Sequence, residues 1–258
     1  MMKSTTESSA AAFLDMPCLI LAGGLGTRLR PVLDDLPKPM AAVAGKPFLE
    51  YLIRWLRQAG MQRVILCTGY KSEKIQHYFK SGEALDVQIA YSVEREPKGT
   101  WGAIRQACQF VTDRNFLVLN GDSWLQIDLG RLLDCHVRRG GVATIAAVEV
   151  TDSSRFGTLD VDSSGRVTAF QEKRGPGNAL VNAGIYVFSR DAFSIVPAAV
   201  SSLENEAFPM LLPHGVFAMP VQGYFVDIGL PEEYKKLEAT ANSWVARLRL
   251  QDGGAKAC

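Results

Sequence analysis

Cys18-Leu19-Ile20-Leu21-Ala22-Gly23-Gly24-Leu25-Gly26-Thr27-Arg28-Leu29, followed shortly by Pro37-Lys38-Pro39, is the stretch on which the reading of this chain turns. An apolar run over 18–22 has the length of a strand and feeds a glycine-rich loop that offers two cations, Arg28 and Lys38. Glycines let the backbone approach a ligand closely and aim successive N–H groups into one concavity, which suits phosphate oxygens. The two cations add the charge that holds a polyphosphate. The stretch therefore reads as a nucleoside triphosphate site. Two better-known glycine loops fail on residues. A P-loop ends in Gly-Lys-Ser/Thr, whereas Gly26 is followed by Thr27-Arg28. A dinucleotide fingerprint places a glycine where Leu29 stands and an acid where this chain has Thr68-Gly69. The bland alternative is a plain strand-to-helix turn, which has no need of both Arg28 and Lys38.

Outward from this stretch, β-rich runs alternate with helical patterns. Strands are predicted over 18–22, 63–68, 87–91 and 116–120, and helices over 48–59, 72–79, 103–111 and 129–139. Leu49, Leu52, Ile53 and Leu56 have the spacing of one helix face, and Ser72 is a plausible N-cap. Strands alternating with helices argue a mixed, mainly parallel sheet flanked by helices, a Rossmann-like α/β fold with ligands at the C-terminal ends of its strands. From Ala143 the pattern changes to strands with little helix between them, over 143–148, 157–161, 167–172 and 180–188, with a turn at Ser163-Ser164-Gly165 and a loop at Gly175-Pro176-Gly177-Asn178. After Ser189 the chain reads as helical, then as a strand over 223–228 and one helix over 231–249. Residues 1–16 read as a disordered leader, 17–250 as a single domain and 251–258 as a disordered tail.

Composition excludes several classes. With 28 basic and 27 acidic residues the net charge is +1, and the cations are scattered, so neither nucleic acid nor a membrane surface is an expected partner. No run has the apolar length of a membrane span. The five cysteines, Cys18, Cys67, Cys108, Cys135 and Cys258, are odd in number and lack CxxC spacing; they read as reduced thiols of a cytoplasmic protein. His77, His136 and His214 show no ligand spacing and receive no role.

Gly23-Gly24-Leu25-Gly26-Thr27-Arg28-Leu29, Pro37-Lys38-Pro39-Met40 and Gly45-Lys46-Pro47 resemble the opening of the sugar-1-phosphate nucleotidyltransferases, the NDP-sugar pyrophosphorylases. The likeness continues in family order through Asn120-Gly121-Asp122, Phe170-Gln171-Glu172-Lys173, Asn182-Ala183-Gly184-Ile185-Tyr186 and Phe225-Val226-Asp227-Ile228-Gly229, spanning roughly 17–240. Ser92-Val93-Glu94, Ser202-Leu203-Glu204 and the short length look most like the guanylyltransferases that take D-glycero-D-manno-heptose 1-phosphate, with those that take mannose 1-phosphate as near relatives.

The resemblance implies a GT-A-like sheet and attack of a sugar 1-phosphate on the α-phosphorus of a nucleoside triphosphate, with Mg²⁺ as cofactor. It implies catalytic roles for Arg28, Lys38, Asp122, Lys173 and Asp227, with Asp122 and Asp227 as metal ligands and Lys173 on the sugar phosphate. Leu21, Ala22, Gly23, Gly24, Gly26, Thr27, Arg28, Lys38, Glu94, Gly99 and Gly121 would bind the nucleotide. Gly157, Glu172, Lys173 and Asn182 would bind the sugar phosphate. A carboxylate at Glu94 can accept from guanine's N1–H and exocyclic amine together, which favours GTP over UTP and dTTP. Each assignment has a structural rival: Asp122 as a turn aspartate, Asp227 as the cap of the helix from Pro231, Lys173 as a surface partner of Glu172, Glu94 as a solvated strand-end acid. In Lys98-Gly99-Thr100-Trp101-Gly102-Ala103 the chain departs from the family pattern, since Trp101 is bulky where the family is small and Lys98 is charged where it is apolar. Trp101 is expected either over the base or sugar or in the core. Two other functions stay open. A metal-dependent glycosyltransferase usually carries Asp-x-Asp, absent here because Asp122 is followed by Ser123-Trp124. A non-catalytic nucleotide-binding relative would be free to lose Lys173. The oligomeric state is left open, a homodimer included.

Overall fold

The computed structural model describes residues 16–26, 29, 33, 36–172 and 177–249, with the backbone alone at Glu172 and Arg249. Its strands are β1 (Cys18–Leu21), β2 (Ala42–Val43), β3 (Lys46–Pro47), β4 (Arg63–Thr68), β5 (Gln88–Val93), β6 (Asn115–Asn120), β7 (Ser123–Leu125), β8 (Ala143–Val150), β9 (Gly157–Val161), β10 (Val167–Glu172), β11 (Ala179–Ser189), β12 (Val216–Val221) and β13 (Phe225–Asp227). Its α-helices are α1 (Phe48–Gln58), α2 (Ser72–Phe79), α3 (Gly99–Gln106), α4 (Leu129–Arg139), α5 (Ala192–Ile195), α6 (Phe208–Leu211), α7 (Pro231–Ala239) and α8 (Ala241–Arg249).

The main sheet is mixed. β5, β4, β1 and β6 run parallel in that order, and β11 joins antiparallel to β6. β11 carries β8 on its other side, with β12 parallel to β8 at the edge. On the β6 edge, the half of β11 nearer its start pairs with β9 in place of β6, and β9 pairs in turn with β10. The fork lies at a bulge between Asn182 and Tyr186, where Gly184 sits at φ +75.

Period-two alternation sorts the strands into two cores. Cys18, Ile20, Val64, Leu66, Leu117 and Leu119 face one layer, packed against α1 and α4 and the C-terminal helices. Leu19, Ile65, Cys67, Phe116 and Val118 face the other, packed against α3 and the 192–211 segment. Burial on both faces explains why these strands read as continuous apolar runs. Phe48, Trp124 and Trp244 form an aromatic cluster, with Phe48 and Trp244 stacked at 5.3 Å and Trp124 edge-on to Trp244 at 6.0 Å. It ties α8 to α1 and to β7, the strand that follows Asp122.

Several boundaries differ from expectation. Helix α3 starts at Gly99, four residues early, because the Ser201 carbonyl accepts the Trp101 and Gly102 N–H groups and so satisfies the first turn. The helix read over 231–249 breaks at Thr240, whose hydroxyl donates to the Lys236 carbonyl at 2.9 Å. β12 was read as helical; its Pro220 is tolerated because β12 is an edge strand. Met16, assigned to the leader, is buried in the core. The rest of the leader, the tail from 251 and Gly175-Pro176 lie outside the described residues.

Candidate active site

The glycine loop leaves β1 between its two parallel neighbours, since Leu21 is in register with Cys67 and with Asn120. Ala22 N–H donates to the Cys67 carbonyl at 2.8 Å, and Gly121 N–H donates to the Leu21 carbonyl at 2.9 Å. These bonds tie Ala22 to β4 and Gly121 to β1 at the C-terminal ends of the central strands. Lys38 opens a 3₁₀ turn, Lys38–Met40, packed by buried Pro39 and Met40. Leu21, Ala22, Gly24, Gly26, Lys38 and Asp122 line one cleft of about 340 Å³, with Gly229 on its far wall. Thr27 and Arg28 lie outside the described residues.

Asp122 and Asp227 come together because β7 and β13 pair antiparallel, with Asp227 opposite Ser123. The Ile228 N–H donates to the Asp122 carbonyl at 2.9 Å. Lys38 Nζ donates to Asp122 Oδ2 in an ion pair. Asp227 Oδ1 accepts the Gly229 N–H at 2.5 Å. Burial, then the charge of Asp122, pushes the Asp227 carboxyl above the usual carboxylate range, against the opposing pull of Lys38. Asp227 does not cap α7, whose N-cap is Leu230. Two neighbouring carboxylates, with no cluster of three or more His, Cys, Asp or Glu among the described residues, are a donor set that fits a hard cation completed by water and phosphate oxygens.

A second cleft of about 290 Å³ shares Leu21, Gly24 and Asp122 with the first and extends to Glu94, Gly99, Thr100 and Cys67. Gly23 closes its floor: a Cβ there would stand 3.0 Å from Glu94 Oε2. Glu94 is not a solvated strand-end acid. Burial raises its pKa, opposed by the backbone N–H of Lys98. Its Oε1 is buried, and no donor among the described residues reaches it. Cys67, Thr100 and Asn120 were not singled out from sequence. All three stand at or near the C-terminal ends of parallel strands or the start of the following helix, which is the signal that would have found them.

The expected sugar residues are spread along the fork. Gly157 opens β9 directly opposite Glu172 on β10. Asn182 sits at the β11 bulge, where its Oδ1 accepts the Gly184 N–H at 3.0 Å and its Nδ2 donates to the Tyr186 hydroxyl at 2.8 Å. The bulge abuts the nucleotide side, since Ser123 Oγ donates to the Ala183 carbonyl at 3.2 Å. Lys173 and the Glu172 side chain lie outside the described residues. Trp101 lines neither cleft. It is fully buried against Phe188 and Phe193, each 5.9 Å away, because α3 turns that side toward the second core.

With this geometry in place, residues 18–243 match the family model described as Nucleotidyl transferase. This chain belongs to the nucleotidyl transferase family. It is 38% identical over 224 residues to the D-glycero-alpha-D-manno-heptose 1-phosphate guanylyltransferase of Campylobacter jejuni, covering 85% of this chain and 97% of that one. It is 38% identical over 221 residues to the mannose-1-phosphate guanylyltransferase of Mycobacterium tuberculosis, covering 84% of this chain and 62% of the relative. Among solved structures, HddC from Yersinia pseudotuberculosis complexed with GMP-PN aligns with a TM-score of 0.77 at 35% identity, covering 87% of this chain and 99% of HddC. The nucleotidyl transferase is accordingly a sugar-1-phosphate nucleotidyltransferase with the expected mixed α/β sheet.

Proposed function

We propose that this nucleotidyltransferase transfers GMP from GTP to D-glycero-D-manno-heptose 1-phosphate, giving GDP-heptose and pyrophosphate. The observation that carries the choice of base is Glu94. A half-buried carboxylate whose Oε1 is buried and unpartnered, at the wall of a cleft next to the glycine loop, is an acceptor that guanine's N1–H and exocyclic amine suit. Uracil and thymine offer a single N–H there, flanked by carbonyl oxygens that a carboxylate repels, so they bring one donor where guanine brings two.

In the reaction, an oxygen of the sugar phosphate forms the new bond to the α-phosphorus as the bond to the β-phosphate bridging oxygen breaks. The electron pair of that bond leaves with pyrophosphate. The nucleophile is already ionised, so no general base is required, and the residues act by positioning and charge. Lys38, at the mouth of the glycine loop, neutralises the triphosphate and the departing pyrophosphate, with Arg28 as its partner. Lys173 holds the sugar phosphate. Asp122 and Asp227 would hold Mg²⁺, which supplies charge neutralisation at the α-phosphate when bound. Gly157, Glu172 and Asn182 are the residues assigned to the sugar hydroxyls. Mannose 1-phosphate is the second reading of the acceptor, supported by the equal identity to the mycobacterial relative.

The deciding experiment is magnesium-dependent pyrophosphate release with GTP, UTP, dTTP, ATP and CTP crossed against heptose-, mannose- and glucose-1-phosphate. Turnover with GTP should exceed that with UTP by about a hundredfold, and heptose 1-phosphate should be the preferred acceptor. Preference for UTP or dTTP overturns the base; preference for mannose 1-phosphate moves the assignment to the second reading. Nucleotide binding with no release from any pair would mean a non-catalytic relative.

A further inference from the structure

One segment of the chain touches both sides of the crevice without belonging to either set of expected ligands. Residues Leu203–Ala207 form a π-helical turn, in which the Ala207 N–H donates to the Ser202 carbonyl at 3.0 Å. Such turns are rare, and they concentrate at functional positions. This one is anchored from below by Leu203, Ala207 and Phe208, all fully buried, with Phe208 stacked on Phe170 of β10 at 4.4 Å and 5°.

Its upper side grips the nucleotide wall. The Ser201 carbonyl accepts from Trp101 N–H at 2.8 Å and Gly102 N–H at 3.3 Å, and the Leu203 N–H donates to Thr100 Oγ1 at 2.8 Å. The Thr100 hydroxyl in turn donates to Glu204 Oε2 at 3.4 Å. The fit is close enough that a Cβ at Gly99, already at φ +75, would stand 2.5 Å from the Ser201 oxygen. On the other side, Phe208 at the foot of the turn packs with its ring 5.6 Å from that of buried Tyr186, whose hydroxyl accepts the Asn182 amide at the β11 bulge. One residue fixes the backbone on which all this depends. Glu206 Oε2 accepts from Ser201 N–H at 3.1 Å, Ser201 Oγ at 3.0 Å and Ser202 N–H at 2.7 Å. Glu206 lines neither cleft.

We propose that the 201–207 segment is a joint that couples the two substrate sites, and that Glu206 is the positioning residue that sets it. With Ser201 and Ser202 held by the carboxylate, the Gly99–Thr100 backbone beside the base and the Phe208–Tyr186–Asn182 contacts on the sugar side share one register. Occupation of one site then pre-orders the other. This rests on the reading of the crevice as a GTP and sugar-1-phosphate site.

The test is an initial-velocity matrix with both substrates varied, on the wild type, Glu206→Ala and Glu206→Gln. The wild type should show each substrate tightening the other. Glu206→Ala should raise both KM values about fivefold and bring the coupling factor close to one, with kcat within about twofold. Glu206→Gln, which keeps an acceptor oxygen, should restore most of the loss. Unchanged KM values and coupling in Glu206→Ala, or a wild type without coupling, overturns the proposal. So does a loss confined to thermal stability and the active fraction of enzyme, because a merely structural residue would do that. If Glu206→Ala fails to fold, Glu206→Asp, whose shorter chain cannot span to Ser202, carries the same test. Calorimetric titration with GTP separates the two readings. A wild type inactive with every substrate pair removes the assigned reaction, yet weaker GTP binding by Glu206→Ala would still support the clamp, and equal binding would sink it.

Discussion

If Glu94 reads the base as proposed, this single residue trades stability for recognition. Burial lifts its carboxyl above the ordinary range, so its folded value lies above its unfolded one. By linkage, this group favours the fold most below the unfolded value, and that contribution is lost as pH rises through the raised folded value. Guanine needs the ionised form as a double acceptor. We therefore expect GTP affinity to fall as pH drops through the raised value, above the usual carboxylate range, while UTP affinity changes little. Glu94→Gln should lose about tenfold or more in kcat/KM for GTP, lose that pH dependence, and melt higher than the wild type at neutral pH without ligand. A GTP/UTP ratio equal to the wild type's would remove Glu94 from base recognition. Gly157 is the converse case: a Cβ there meets nothing nearer than the Gln171 carbonyl at 4.0 Å, so the protein itself has room for a side chain. If the glycine exists to admit the sugar, Gly157→Ala should leave the melting temperature unchanged and raise KM for the sugar 1-phosphate about tenfold. An unchanged KM would place the sugar elsewhere.

At the scale of elements, α4 meets the sheet through a polar contact. His136 lies buried 3.0 Å from the Thr144 hydroxyl of β8, and burial, with Arg114 adding to it, holds its imidazole down at about 4. The folded value is below the unfolded one near 6.5, so the stabilisation is present above pH 6.5 and is lost as pH falls towards 4. The loss amounts to roughly 3 kcal/mol at the acid end. The melting temperature should decline across that window in the wild type, and Phe at position 136 should flatten the decline. An identical acid limb in His136→Phe would mean other groups carry it. The same scale shows what was legible in advance. The central strands were, because burial on both faces demands unbroken apolar runs, and so was the place of the glycine loop at the C-terminal end of β1. β12 and β7 were not. β12 carries Pro220 at an edge, which looks like a strand breaker until its free side is known, and β7 has three residues, too few for a period. Trp101 was undecidable from sequence, because which way α3 turns it is set by the Ser201 carbonyl from across the fold. Glu206 left no trace for the same reason: its partners are local, but what they hold is a hundred residues away.

For the molecule as a whole, the forked sheet matters most. β6, which ends at Asn120, and β9, which opens with Gly157, bond to successive parts of the same edge of β11, so the two proposed substrate walls branch from one strand. The crevice between them is a gap within one sheet. Lys38 adds a consequence of its own. Its ammonium pairs with Asp122, with Asp227 close enough to feel its charge, so the acidic pair has a counter-ion within the chain itself. A bare divalent ion arriving alone would have to evict a tethered cation and would gain only two carboxylates in exchange. A triphosphate arriving with its magnesium gives the lysine a new anion to follow. The protein should therefore show negligible heat on titration with Mg²⁺ alone and strong binding of the magnesium–GTP complex, and Lys38→Met should invert that order by letting the metal in first. On the proposed reading, the lysine would act as a placeholder, keeping the acidic pair closed to stray metal until a nucleotide comes to collect it.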